Sequence, residues 1–224
     1  MSGILFTVIL QTMIENTVQI SALILAAGAA RRFGQPKQLL PWGPDNTILG
    51  TVIDTLSCNS KISSINVVLG AHYDSITSTI TEKLSKTRII RNTLWQQGMF
   101  SSITAGLIEL SAKPKAGGIL VLLGDMPFIS PQVIAEFIYT ASACTSEHPL
   151  IVATEQGKPA HPYLIWQQHI GEILSLSGKS GIRPFIQSHF PHAKKIQVSS
   201  DVGRQDIDTW ETYEQLKPTI SRKV

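Results

Sequence analysis

Short apolar runs alternate along this chain with stretches whose apolar residues recur at helical spacing, and this alternation limits the fold more than any other feature. Gln19–Ala26 (QISALILA) is an unbroken apolar run, the pattern of a strand buried on both faces. Ser64–Leu69, Thr87–Arg91, Gly118–Leu123 and Leu150–Thr154 read the same way, with Ile196–Ser199 a weaker candidate. Between them, Thr47–Leu56, Asp74–Leu84, Ser101–Leu110, Pro131–Ala143 and Ile182–His189 carry the helical period. Ser130-Pro131 supplies an N-cap followed by proline at the first helical position. The expected fold is α/β and Rossmann-like, a mostly parallel sheet with helices on both faces. Ligands of such sheets bind at the carboxyl ends of the central strands, near the switch point. The loops after the first and fourth strands are therefore the informative ones.

Composition narrows the function classes. The chain has 224 residues, 43% apolar and 16% charged, which suits one large domain and excludes a disordered polymer. Two cysteines, Cys58 and Cys144, are too few for a disulfide framework, so the cytoplasm is the default compartment. A net charge of +3 suits anionic small molecules and is too weak to argue for nucleic acid. Gly3–Leu10 is apolar, but too short to span a bilayer and without a basic leader, so no membrane role is expected. Residues 1–18 are read as an extension, 19–217 as the domain and 218–224 as a tail.

The first strand runs into Leu25-Ala26-Ala27-Gly28-Ala29-Ala30-Arg31-Arg32-Phe33-Gly34-Gln35-Pro36-Lys37. Small residues let a ligand approach the backbone, whose N–H groups can bind phosphate or a base edge. Arg31, Arg32 and Lys37 add three cations suited to a triphosphate. A solvated basic loop is the alternative. Neither G-x-G-x-x-G nor the Walker pattern is present: Gln35-Pro36 separates Gly34 from Lys37, and residue 173, where Gly178-Lys179-Ser180 would need a glycine, is Ile. The fourth strand ends in Gly124-Asp125-Met126-Pro127. A carboxylate there, beside a phosphate site, suits Mg²⁺; a turn-initiating Asp is the alternative.

L-A-A-G-x-x-x-R-x-G-x-P-K followed by G-D-M-P resembles the MobA-like NTP transferases, the molybdenum cofactor nucleotidyltransferases. Asn92–Leu107, Lys158–Ile165, Leu176–Pro184 and Asp206–Tyr213 resemble that family's later motifs, in order. The resemblance implies a three-layer sandwich of the nucleotide-diphospho-sugar transferase type. It implies that Leu25, Ala26, Ala27 and Gly28 cradle base and ribose, with Gly98 and Ser102 against the base. Arg32 and Lys37 would hold the triphosphate; Asp125 and Asp208 would ligate Mg²⁺; His161 and Arg183 would lie on the acceptor side. Asp206 and Asp208 have a plainer reading as caps of a helix starting near Thr209, and His161 one as an ordinary loop histidine. His189 and His192 read as surface residues.

The chain departs from the family pattern at Ala30 (usually Ser), Lys179 (Asp), Trp210 (Pro) and Thr212 (an acid), so the acceptor half fits less closely than the nucleotide half. Leu25-Ala26-Ala27-Gly28 is the cytidylyl type of first loop; the guanylyl type reads L-A-G-G. The implied reaction joins CMP from CTP to a molybdopterin-type cofactor, with a molybdenum hydroxylase apoenzyme as a later partner. Open alternatives are a nucleotidyltransferase for a sugar or polyol phosphate, an NAD(P)-dependent oxidoreductase, and a cofactor chaperone.

Overall fold

The computed structural model describes residues 18–80, 86–112, 117–144, 148–176, 181–198 and 207–218. Most of the expected N-terminal extension and C-terminal tail, together with Lys179 and Asp206, lie outside the described residues.

Seven strands form one sheet in the order β3-β2-β1-β4-β6-β5-β7. They are β1 Ile20–Leu25, β2 Ile62–Leu69, β3 Thr87–Arg91, β4 Gly118–Leu123, β5 Leu150–Glu155, β6 Lys158–Trp166 and β7 Lys194–Gln197. β1 is buried at every residue and pairs in parallel with β2 on one side and β4 on the other. Alternation decides which layer each side chain joins. Ile20, Ala22 and Ile24 of β1 enter one core with Leu120 and Leu122 of β4; Leu23 and Leu25 enter the other with Ile119 and Val121.

The first core is covered by α1 (Ile48–Ser57), α2 (Tyr73–Ile80) and, from later in the chain, the helix Pro131–Ala143. The second is covered by α3 (Met99–Ser111) and two short helices, Ile170–Ser175 and Arg183–His189. In chain order Pro131–Ala143 is α4, Ile170–Ser175 α5 and Arg183–His189 α6; α7 is Trp210–Leu216. Helices on both faces of a mostly parallel sheet give the three-layer sandwich. Helix starts follow local chemistry: Thr47 and Ser130 accept hydrogen bonds from Gly50 N and Val133 N, and Pro131 opens α4. Among the described residues no helix is long and apolar enough to cross a membrane.

Three elements depart from the sequence reading. β6 runs antiparallel between β4 and β5. Its first half holds Pro159 and Pro162 and is only partly buried, so it lacks the apolar run that marks the other strands. α5 has only six residues, too few to display a period. β7 also lies two residues before the expected Ile196–Ser199.

Candidate active site

β1 and β4 are neighbours, yet the chain leaves β1 toward β2 and leaves β4 toward the other half of the sheet. Their diverging carboxyl ends make the switch point, and a cavity of about 460 Å³ opens there. That volume falls within the range of small-ligand pockets.

The loop after β1 forms one wall through its backbone. The Leu25 carbonyl accepts from Gly124 N at 2.9 Å and the Ala27 carbonyl from Ala71 N at 3.0 Å. The buried Gln38 amide donates to the carbonyls of Ala26 (3.1 Å) and Gly28 (3.4 Å). All four carbonyls of Leu25–Gly28 are thus engaged, while among the described residues the N–H groups of Ala27 and Gly28 have no partner. Those two donors are free for an anion or a base edge. Gln38 was missed in the sequence; its position directly after Lys37 is its only signal.

Gly124 allows the loops after β1 and β4 to touch. A Cβ built there would stand 2.7 Å from the Ala26 Cβ, so a larger residue would push the walls apart. Opposite lies the N-terminus of α3, where Gly98, Met99 and Ser102 line the cavity. Gly98 is the N-cap at φ 98°, a conformation that favours glycine. Asn92, at the end of β3, fixes this corner: its buried Nδ2 donates to Ser101 Oγ (2.8 Å) and Ser102 Oγ (3.0 Å), and its Oδ1 accepts from Leu94 N. The first-turn N–H groups and helix dipole of α3 add positive potential to this wall.

Charge concentrates on Lys37. Its Nζ lies 2.5 Å from Asp125 Oδ2 and 2.9 Å from Asp208 Oδ1. Burial pulls the ammonium pKa down, but Asp125 and Asp208 more than offset that, leaving it above the ordinary lysine value. Arg32 reaches Asp208 at 3.5 Å from a largely exposed position. Asp208 arrives from the far end of the chain because α7 docks on the first loop. Ile207 is fully buried, Tyr213 donates to the Pro41 carbonyl at 2.8 Å, and Trp210 packs on Phe33 with ring centroids 5.2 Å apart. Thr209 caps α7 by accepting from Thr212 N, so Asp208 is not the cap and its carboxylate faces Lys37.

The cavity therefore brings together Leu25 to Gly28, Arg32, Lys37, Gly98, Ser102, Asp125 and Asp208. His161 and Arg183 are not among its lining residues. Arg183 is exposed at the first residue of α6. His161 is half-buried beside Tyr163, ring centroids 5.0 Å apart, with its Nε2 shut off from solvent. Burial lowers its pKa to about 4, with Asp125 opposing in part. Trp95 and Met99 also line the cavity and carried no signal of a role in the sequence beyond their place in a motif.

The sequence model of the MobA-like NTP transferase domain matches residues 22–194, which hold the sheet except the first two residues of β1 and all of β7 after Lys194. The chain belongs to this family. A probable molybdenum cofactor guanylyltransferase of Mycolicibacterium paratuberculosis is 28% identical to this MobA-like chain over 134 residues. That match spans 59% of the chain and 62% of the relative. A molybdenum cofactor cytidylyltransferase of Escherichia coli is 28% identical over 192 residues, 85% of this chain and 91% of that one. The crystal structure of Rv0371c from Mycobacterium tuberculosis superimposes with a TM-score of 0.71 at 26% identity, covering 88% of this chain and 97% of that chain. Within the matched residues, Trp95, Gly98, Met99 and Ser102 line the cavity, while Asp208, beyond them, joins the ion-pair cluster.

Proposed function

We propose that this MobA-like chain transfers CMP from CTP to the terminal phosphate of a molybdopterin-type cofactor. An acceptor phosphate oxygen forms a bond to the α-phosphorus, the bond from that phosphorus to the bridging oxygen breaks, and pyrophosphate leaves. The observation that carries this reading is the Lys37 ammonium held between Asp125 and Asp208 at the edge of a cavity walled by free backbone N–H groups.

Each residue then has a task. The N–H groups of Ala27 and Gly28 meet the base or ribose, and the start of α3 closes over the nucleotide. Lys37 and Arg32, with Arg31 nearby, neutralise the triphosphate and the charge that grows on the departing pyrophosphate. Two anionic reactants repel each other, so alignment and charge neutralisation supply most of the catalysis. The Ala27 methyl narrows the base site and favours a pyrimidine; relatives at 28% identity include both a guanylyltransferase and a cytidylyltransferase, so the choice of base rests on this loop.

The two carboxylates fit Mg²⁺. Asp125 Oδ2 and Asp208 Oδ1 already converge on one cationic atom, and hard carboxylate oxygens are what Mg²⁺ takes beside phosphate. Bound there, the ion would screen the phosphate charges and polarise the α-phosphate.

The test is pyrophosphate release from CTP, GTP, ATP and UTP with Mg²⁺, with and without molybdopterin-type cofactor. Release that requires both CTP and the cofactor supports the reading. Release with GTP alone corrects the base, release with a sugar or polyol phosphate corrects the acceptor, and no release with any pair rejects the activity.

A further inference from the structure

On the face of the sheet covered by α3, two histidines and a glutamate converge far from the nucleotide cavity. His169 ends the turn that follows β6, Glu172 lies one helical turn on in α5, and His189 closes α6. β6 runs antiparallel, so Trp166 pairs with Gly118 at the start of β4, whereas Asp125 lies past the end of β4. The length of β4, about 16 Å at a strand's rise per residue, separates the two regions.

His169 Nδ1 lies 3.2 Å from Glu172 Oε2, and His189 Nε2 lies 2.9 Å from Glu172 Oε1. The three candidate ligand atoms all fall within 4.8 Å of one another. Ligand atoms around a tetrahedral ion bound at ~2.0–2.1 Å stand about 3.4 Å apart, so small side-chain adjustments suffice. The imidazoles are held in advance. The buried Phe185 ring packs 4.5 Å from His189 and 5.8 Å from His169, and the two imidazoles lie 5.5 Å apart. The imidazoles are about one-fifth exposed and the carboxylate nearly half, which leaves one side open to water.

We propose that His169, Glu172 and His189 hold a divalent transition metal of the zinc class, with water completing a four-coordinate shell. The donor set is two imidazoles and one carboxylate, which suits zinc and disfavours Mg²⁺, an ion that keeps to oxygen ligands. Bound there, the ion ties α5 to α6. The site is independent of the activity proposed above.

The test uses the tag-free full chain, stripped with EDTA and titrated with ZnCl₂ by calorimetry in excess Mg²⁺. One equivalent of Zn²⁺ is expected to bind with unchanged affinity in Asp125→Asn. Affinity is expected to fall roughly tenfold or more in Glu172→Gln and in His189→Gln. Metal-free melting curves check that these variants fold. In the unmutated protein, Zn²⁺ is expected to shift the imidazole ¹⁵N signals of His169 Nδ1 and His189 Nε2. No zinc binding in excess Mg²⁺, unshifted imidazoles, or full affinity in both variants would overturn the proposal.

Discussion

At the scale of the residue, Lys37 holds the greatest leverage. Its ammonium sits between two carboxylates, so Lys37→Met removes a charge that the triphosphate needs and leaves Asp125 and Asp208 facing each other. The expected outcome is a fall in pyrophosphate release of about 10²-fold or more, read at saturating CTP. Gly124→Ala tests the contact between the two loops. The added methyl would meet Ala26 Cβ at 2.7 Å, so a stability loss of about 1–3 kcal/mol is expected in urea melts, together with a raised KM for nucleotide. Much at this scale was legible in the sequence. Small residues, cations and a strand-end aspartate are visible as residue types at known spacings, so the cavity wall and Asp125 were in view. That Asp125 and Asp208 meet on one Nζ was not, because the meeting depends on how α7 packs.

Elements show where the sequence reading stops. α4 was legible to both ends because Ser130, Pro131 and its apolar period agree with one another. β6 was not, since prolines interrupt it and its outer half is only partly buried. α3 depends on a single side chain at its entrance. Asn92→Ala removes two hydrogen bonds to Ser101 and Ser102 at a buried position. A loss of about 1–3 kcal/mol is expected, and the Gly98 corner should loosen, seen as faster amide exchange in the first turn of α3. Thr209→Ala removes the cap of α7 and should cost about 1 kcal/mol. Because Asp208 directly precedes that cap, the same variant should also weaken the dependence of activity on divalent ion.

For the whole molecule, one half-buried imidazole, its Nε2 shut off from solvent, sets an acid limit. His161 has a folded pKa of about 4 against 6.5 for the free side chain. A depressed folded value means that the unfolded chain takes up the proton first. This contribution is therefore intact above pH 6.5, shrinks as pH falls from 6.5 toward 4, and reaches a loss of about 3 kcal/mol near pH 4. Urea melts of the wild type across that window should show the decline, and His161→Phe should flatten it. The docking of α7 divides the pocket between two parts of the chain. Every strand of the sheet lies before residue 198, while Asp208 follows it. The sheet, the first loop and Lys37 are built from residues before 198, whereas the second carboxylate depends on the seat of α7. Loosening the seats of Ile207 and Tyr213 would therefore leave the pocket framed but without its second carboxylate.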